Sequence, residues 1–246
     1  MSLPVHLAEP LASVTAGSLV EVTGDEAHHA VAVRRLRAGE RLSLTDGLGR
    51  VAEGVVESTG KRVFTVRVDD VRSSPSPSPE VVVVQALPKG ERGELAVEVL
   101  TEVGVSEIVP WAAARSVAVW RGERAEKSLA RWRATAREAG KQARRPWAAV
   151  VAPLASTEEV VALVASADLA VVLHEAASVP LAGVEIPASG RVVVVVGPEG
   201  GLTEEEVAAF AHTGAVVVRL GSEVLRTSTA GVAAVAALLS RTTRWS

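Results

Sequence analysis

The stretch VVVVVGPEGGLTEEE, Val192 to Glu206, sets one carboxylate, Glu199, among Gly197, Pro198, Gly200 and Gly201, just after an apolar run. A strand, a glycine turn and a helix N-terminus commonly make an anion site. Here no Lys-Ser/Thr follows the glycines and no Gly-x-Gly-x-x-Gly is present, so neither nucleotide-phosphate loop applies. A carboxylate in the loop would also repel a phosphate. The loop suits a neutral or cationic ligand held by backbone groups. Glu204, Glu205 and Glu206 serve the helix dipole, with Thr203 and Glu206 at capping-box spacing. Two other apolar runs end in the same manner. VVLHEAA closes on His174 and Glu175. RLGSEVLRTSTAGVAAVAALL, Arg219 to Leu239, places Gly221 and Arg226 before a helix that Thr227, Ser228 or Thr229 can cap. In open α/β sheets ligands gather at the carboxyl ends of strands, so Leu173–His174, Gly197 and Leu220–Gly221 are expected to line one pocket.

A second feature is electrostatic. Between Arg115 and Trp147 lie ten basic residues, against only Glu123, Glu126 and Glu138. Trp120, Trp132 and Trp147 are interleaved and Trp111 lies just before, a pattern that fits a polyanion. On a helix over 128–143, Leu129, Trp132, Ala136, Ala139 and Ala143 share one face. Arg133, Arg137, Lys141 and Arg144 form a basic stripe roughly opposite. His6, His28, His29 and His212 have no metal-binding spacing, and no metal is assigned. With no cysteine and no Gly-x-Ser-x-Gly elbow, covalent hydrolase chemistry has little support.

The elements that must position these residues fall into two parts. The chain has 246 residues, 48% hydrophobic and 22% charged, with a formal net charge of −3. SSPSPSP, Ser73 to Pro79, cannot form a helix or a central strand and reads as a linker between 1–72 and 80–246. The first part alternates with period two, carries a hairpin signal at Asp46-Gly47, and has a short helix near Asp25–Arg35 that Thr23 or Asp25 would cap; a small β-barrel is expected. The second part, with EVVVVQAL, SEIVPW, ADLAVVLHE, RVVVVVG and AVVVRLG separated by helical stretches, predicts an α/β layer fold with a parallel sheet. One of those helical stretches, STEEVVALVA, would be capped by Ser156 or Thr157. MSLPVHLAEP is not a signal peptide and no apolar run reaches membrane-span length, so a cytoplasmic location is expected.

A cationic methyl donor acting on RNA would satisfy both the pocket and the basic segment. GPEGG (Gly197–Gly201) followed by LGSEVLRTSTA (Leu220–Ala230) resembles the signature of the ribosomal RNA small subunit methyltransferase E family, within the SPOUT class of knotted methyltransferases. KGERGELAVEVLTEVGVSEIVPWAAARSV, with Glu102 to Val105 and Arg115, is similar to its first catalytic block. AREAGKQARR, with Gln142 and Arg145, is similar to its glutamine–arginine block. HHAVAVRRLRAGERLSLTDG, with His29 and Arg35, resembles its N-terminal PUA-like domain.

The resemblance implies S-adenosylmethionine-dependent methylation of N3 of a uridine in 16S rRNA near the decoding centre, on the 30S subunit. It also implies a SPOUT-type sheet with a deep trefoil knot, a PUA-like RNA-binding domain and a homodimer. The cofactor would contact Leu173, His174, Gly197, Pro198, Glu199, Gly200, Leu220, Gly221, Leu225, Arg226, Thr227, Thr229 and Ala230. Arg226 is the expected catalytic residue, stabilising negative charge on uracil; Glu199, His174 or solvent are the candidates for a base. RNA contacts are expected from His29, Arg35, Arg115 and Arg145, and from Arg133, Arg137 and Lys141 of the stripe. The family usually has Glu at Ser228, Lys near Val99 and Glu at Lys141. Alternative readings are a SPOUT ribose 2′-O-methyltransferase and a non-catalytic RNA-binding assembly factor.

Overall fold

The computed structural model describes residues 3–8 and 10–245; Met1, Ser2 and Glu9 of the opening stretch, and Ser246, lie outside the described residues. The chain divides into two units, Met1–Ser76 with Gly140–Ala148, and Pro77–Ala139 with Ala149–Ser246. The Ser/Pro stretch therefore marks one crossing between units, and a short segment after residue 139 returns to the first.

Period-two alternation builds the first unit. Its strands β1 (Val5–Leu7), β2 (Leu19–Thr23), β3 (Arg41–Thr45), β4 (Arg50–Thr59) and β5 (Val63–Ser73) form one sheet in the order β1-β3-β4-β5-β2. β1 runs parallel to β3 and the other pairs are antiparallel. In β5, Phe64, Val66 and Val68 turn inward and Arg67 outward, and they meet Leu42 and Leu44 of β3 in the core. The β3–β4 hairpin turns at Asp46-Gly47: Asp46 Oδ1 accepts the N–H groups of Leu48 (2.8 Å) and Arg50 (3.1 Å), the side-chain turn for which Asp is favoured. The short helix is α1 (Gly24–His28), which continues as π-helix over His29–Val33. Neither expected cap acts through its side chain: Thr23 is the N-cap without a side-chain bond, and Asp25 is paired with Arg62.

The second unit is a wholly parallel seven-stranded sheet flanked by helices. In chain order it runs β6 (Glu80–Ala86), α2 (Arg92–Val103), β7 (Glu107–Trp111), α3 (Gly122–Gln142), β8 (Val150–Val151), α4 (Thr157–Ala165), β9 (Leu169–Leu173), β10 (Val179–Pro180), β11 (Arg191–Val196), α5 (Glu204–His212), β12 (Val216–Arg219) and α6 (Thr227–Leu239). The last residues of α3, from Gly140, belong to the first unit. Strand order is β10-β12-β9-β11-β6-β7-β8.

The position of β11 explains its unbroken valines. It is hydrogen-bonded on both edges, to β9 and β6. Val192, Val194 and Val196 enter one core cluster with α2, α3 and α6; Val193 and Val195 enter another with α4 and α5. Both faces are dry, so alternation would leave a polar side chain unsatisfied. Each buried valine contributes roughly 1.5–3 kcal/mol. Helix α6 lies close on this sheet because Gly231 has no side chain; a Cβ there would stand 3.2 Å from Leu100 and 3.3 Å from Val196. Among the described residues no helix is long and apolar enough to cross a membrane.

Candidate active site

The glycine loop after β11 is braced from behind. The Pro198 carbonyl accepts the Gly201 N–H (2.9 Å), which closes a turn with Glu199 and Gly200 in its middle. Gly201 has φ +72°, a left-handed conformation that favours glycine. A Cβ on Gly200 would sit 3.1 Å from both the Cβ and the carbonyl oxygen of Arg115. The Arg115 guanidinium donates to the Leu202 carbonyl (3.2 Å) and the Gly200 carbonyl (3.4 Å). Arg115, expected on RNA, is thus turned onto the loop. The predicted capping box at the start of α5 is present: Glu206 N–H donates to Thr203 Oγ1 (3.1 Å) and Thr203 N–H to Glu206 Oε2 (2.9 Å). Glu206 is buried, and its other oxygen accepts the Ala114 N–H at 2.8 Å. The helix start and the segment carrying Arg115 are thereby joined. The backbone N–H of Glu205, the Thr203 hydroxyl and the Arg115 charge hold the Glu205 carboxyl below the usual range. Ser156 caps α4 with the same reciprocal box through Glu159.

Glu199 is less free than its place in the loop suggests. Its Oε1 accepts the Lys89 N–H at 3.1 Å and lies 4.0 Å from Arg92. At the end of β9, the His174 N–H donates to the Val218 carbonyl (2.9 Å), and Nδ1 accepts the Ala176 N–H (3.2 Å). The start of α6 differs from expectation: Arg226 is the N-cap, with no side-chain cap bond. Thr227 and Ser228 are buried in the first turn, and Thr229 Oγ1 donates back to the Arg226 carbonyl (3.3 Å). Gln85, fully buried in β6, donates to the Thr227 carbonyl (3.3 Å) and the Ala86 carbonyl (3.1 Å). This residue was not anticipated; the one polar letter inside EVVVVQAL was its signal.

The three strand ends converge on a cavity of about 330 Å³. Of the expected cofactor contacts, Leu173, His174, Gly197, Pro198, Glu199, Leu220, Gly221, Leu225, Arg226, Thr227 and Ala230 line it; Gly200 and Thr229 do not. Glu175, Glu199 and Glu223 face Arg92, Arg219 and Arg226 across its wall. A hydrogen bond from the Ser222 hydroxyl, then one from its own backbone, holds the Glu223 carboxyl below the usual range. The Arg226 guanidinium has no hydrogen bond or ion pair among the described residues, so it is available to a ligand. Among the described residues no group of three or more His, Asp or Glu is placed to hold a metal ion.

The basic segment is more structural than its composition suggests. Trp111 and Trp132 are buried, and Trp120 packs edge-on against Trp132 at 5.0 Å. Arg133 Nε donates to the Val151 carbonyl at 3.1 Å, Arg131 pairs with Glu94, and Arg137 lies 3.8 Å from Glu138. In the first unit, Trp147 Nε1 donates to the Ser74 carbonyl at 3.0 Å. Lys141, expected on RNA, is buried at 9% exposure, and its ammonium lies 3.0 and 3.3 Å from the Glu26 carboxylate oxygens. Its charge is thus matched by that carboxylate within the first unit. His6 Nδ1 lies 3.0 Å from the same carboxylate. Burial pushes the Glu26 carboxyl up, but the hydrogen bonds from His6 and Lys141 and their charges outweigh it and hold it at about 2. His29 is half-buried, Arg35 is exposed with φ 57°, and the Arg145 N–H closes on the Gly140 carbonyl at 2.9 Å.

Residues 74–239 match the family described as the RNA methyltransferase domain, and residues 22–69 match the RNA methyltransferase PUA domain. The ribosomal RNA small subunit methyltransferase E of Mycobacterium bovis is 46% identical over 93% of this chain and 89% of its own length. That of Bacillus subtilis is 30% identical over 90% of each. A crystal structure of the Neisseria gonorrhoeae protein of the same name, bound to S-adenosyl methionine, superposes with a TM-score of 0.85 at 26% identity, covering 97% of this chain and 98% of that one. Likeness that runs through both units, together with a cavity built where the signature loops meet, shows that the chain belongs to the ribosomal RNA small subunit methyltransferase E family.

Proposed function

We propose that this protein binds S-adenosylmethionine in the cavity at the ends of β9, β11 and β12 and methylates N3 of a uridine in 16S rRNA, with the 30S subunit as substrate. The observation that carries this reading is the meeting of three loops in one cavity that Arg226 also lines, its guanidinium unpaired among the described residues. The residues fit the donor. Leu173, Leu220, Leu225 and Ala230 offer apolar wall, the glycine loop offers backbone groups, and Glu175, Glu199 and Glu223 offer negative charge to a cation. When bound, the donor supplies an electrophilic methyl group on a sulfonium.

The chain's own residues then have separable tasks. Uracil N3 must lose its proton before it becomes a useful nucleophile. Arg226, a fixed cation at a helix N-cap, stabilises the negative charge that this loss leaves on the ring. Arg115 and Glu206 hold the glycine loop in shape, and Gln85 holds the Thr227 carbonyl, so the reacting groups meet in a fixed geometry. The uridine must be unpaired or flipped, because N3 lies on the Watson–Crick edge. A trefoil knot, a homodimer and a cytoplasmic location belong to the same reading, supported by family membership.

The test is single-turnover methylation by Arg226→Ala. The expected loss is about 10²- to 10³-fold in the chemical step, with donor affinity within a few-fold of the parent. Near-parental chemistry would remove Arg226 from the mechanism.

A further inference from the structure

Two helical segments of the first unit end in the same unusual way. After α3, the Arg145 N–H reaches the Gly140 carbonyl (2.9 Å) and the Arg144 N–H the Lys141 carbonyl (3.1 Å). This is the Schellman pattern, which normally places glycine at the left-handed position. Here that position is Arg144, with φ 54°. The π-helical segment over His29–Val33 closes with Leu36 N–H on the Ala30 carbonyl (3.0 Å) and Arg35 left-handed at φ 57°. A cation at a helix C-terminus is favoured by the dipole, but a neighbouring helical position would supply that without backbone strain. Keeping arginine where glycine is easier points to a use for the side chain.

For Arg144 that use has a location, which Arg35 does not line but its neighbour Arg34 does. A second cavity, of about 230 Å³, is lined by His6, Glu26, His29, Arg34, Lys141 and Arg144, among others. On its floor Lys141 and His6 engage the Glu26 carboxylate. Arg34 and Arg144 are exposed, and neither guanidinium has a hydrogen bond or ion pair among the described residues. Two unpaired guanidiniums beside a carboxylate already engaged by Lys141 and His6 are a seat for one multiply hydrogen-bonding anion, the chemistry at which arginine excels. We propose that this cavity binds a phosphodiester of the RNA substrate, with Arg34 and Arg144 as its rim and Lys141 and Glu26 as its support. The proposal rests on the reading that RNA is the substrate. It moves the RNA contact in this unit from Lys141 to the arginines around it.

The experiment uses the full chain and a labelled fragment of small-subunit rRNA, with anisotropy measured across a salt series. For Arg34→Ala/Arg144→Ala, affinity should fall at least tenfold and the log–log salt slope by about two. Donor affinity and thermal midpoint should stay at parental values. Arg144→Gly should bind RNA more weakly while melting at or above the parental temperature, a combination that a purely structural arginine would not give. Unchanged affinity and slope in the double variant, with methylation intact, would overturn the proposal and leave the reading of function standing. A parent that binds the donor but neither binds nor methylates RNA would overturn both. Inorganic phosphate is the second arm: saturable binding that the double variant loses, with RNA affinity unchanged, would assign the cavity to free phosphate and overturn the RNA source.

Discussion

Lys141 is buried with its ammonium on the Glu26 carboxylate. Removing one member of a buried pair leaves the other desolvated and unmatched. Lys141→Ala should therefore lower stability by roughly 2–4 kcal/mol, read from urea unfolding, and Lys141→Ala/Glu26→Gln should recover part of that loss. Glu26 also sets a pH window. Its carboxyl goes from 4.5 unfolded to about 2 folded, so its contribution is present above the unfolded value. It is lost as pH falls from 4.5 towards 2, amounting to roughly 3 kcal/mol at most. The stability gap between the parent and Glu26→Gln, followed by urea unfolding at successive pH values, should close across that interval. Glu199 illustrates a carboxylate with mixed duties: one oxygen is taken by the Lys89 N–H, and Arg92 offsets part of its charge.

Elements were readable wherever local physics decides them. The valine run of β11, the Ser156 cap, the box Thr203–Glu206 and the Asp46-Gly47 hairpin each follow from neighbours a few positions apart. What was not readable depends on partners distant in sequence. The spacing of Arg133, Arg137 and Lys141 puts them on one helix face, yet periodicity cannot say that Lys141 meets a carboxylate 115 positions away. Arg115 braces a carbonyl 85 positions on, and of the tryptophans interleaved with the basic residues Trp132 is buried and Trp120 and Trp147 are half-buried. The convergence of three strand ends was legible because parallel sheets gather loops at one edge; Gln85 stood out as the one polar letter in an apolar run, but its partner, the Thr227 carbonyl, is 142 positions away. Packing between α2 and α3 gives an element-scale prediction. A Cβ on Gly93 would stand 2.8 Å from the buried Trp132 indole. Gly93→Ala should cost about 1–3 kcal/mol from overpacking, reduced by about 1 kcal/mol of helix propensity, visible as a lower urea midpoint with unchanged slope. Glu206→Ala releases two backbone N–H groups, of Thr203 at the α5 cap and of Ala114 beside Arg115. It should weaken donor binding by about tenfold in calorimetry, more than it slows chemistry at saturating donor.

For the whole molecule, the proposed chemistry belongs to the cavity at the ends of β9, β11 and β12. In the second unit Arg115 braces the glycine loop and the Arg226 guanidinium is open in the cavity. The first unit buries a balanced ion pair and leaves Arg34 and Arg144 open. The central claim is base methylation of small-subunit rRNA at the first of these sites. It is tested most directly by incubating the protein with isotopically labelled S-adenosylmethionine and 30S subunits lacking the modification, then mapping the label by mass spectrometry of nuclease fragments. One labelled methyl on N3 of a single uridine in 16S rRNA is expected, with Arg226→Ala leaving that uridine unmodified over the same interval. A label on a ribose 2′-hydroxyl, or no transfer by protein that demonstrably binds the donor, would contradict it.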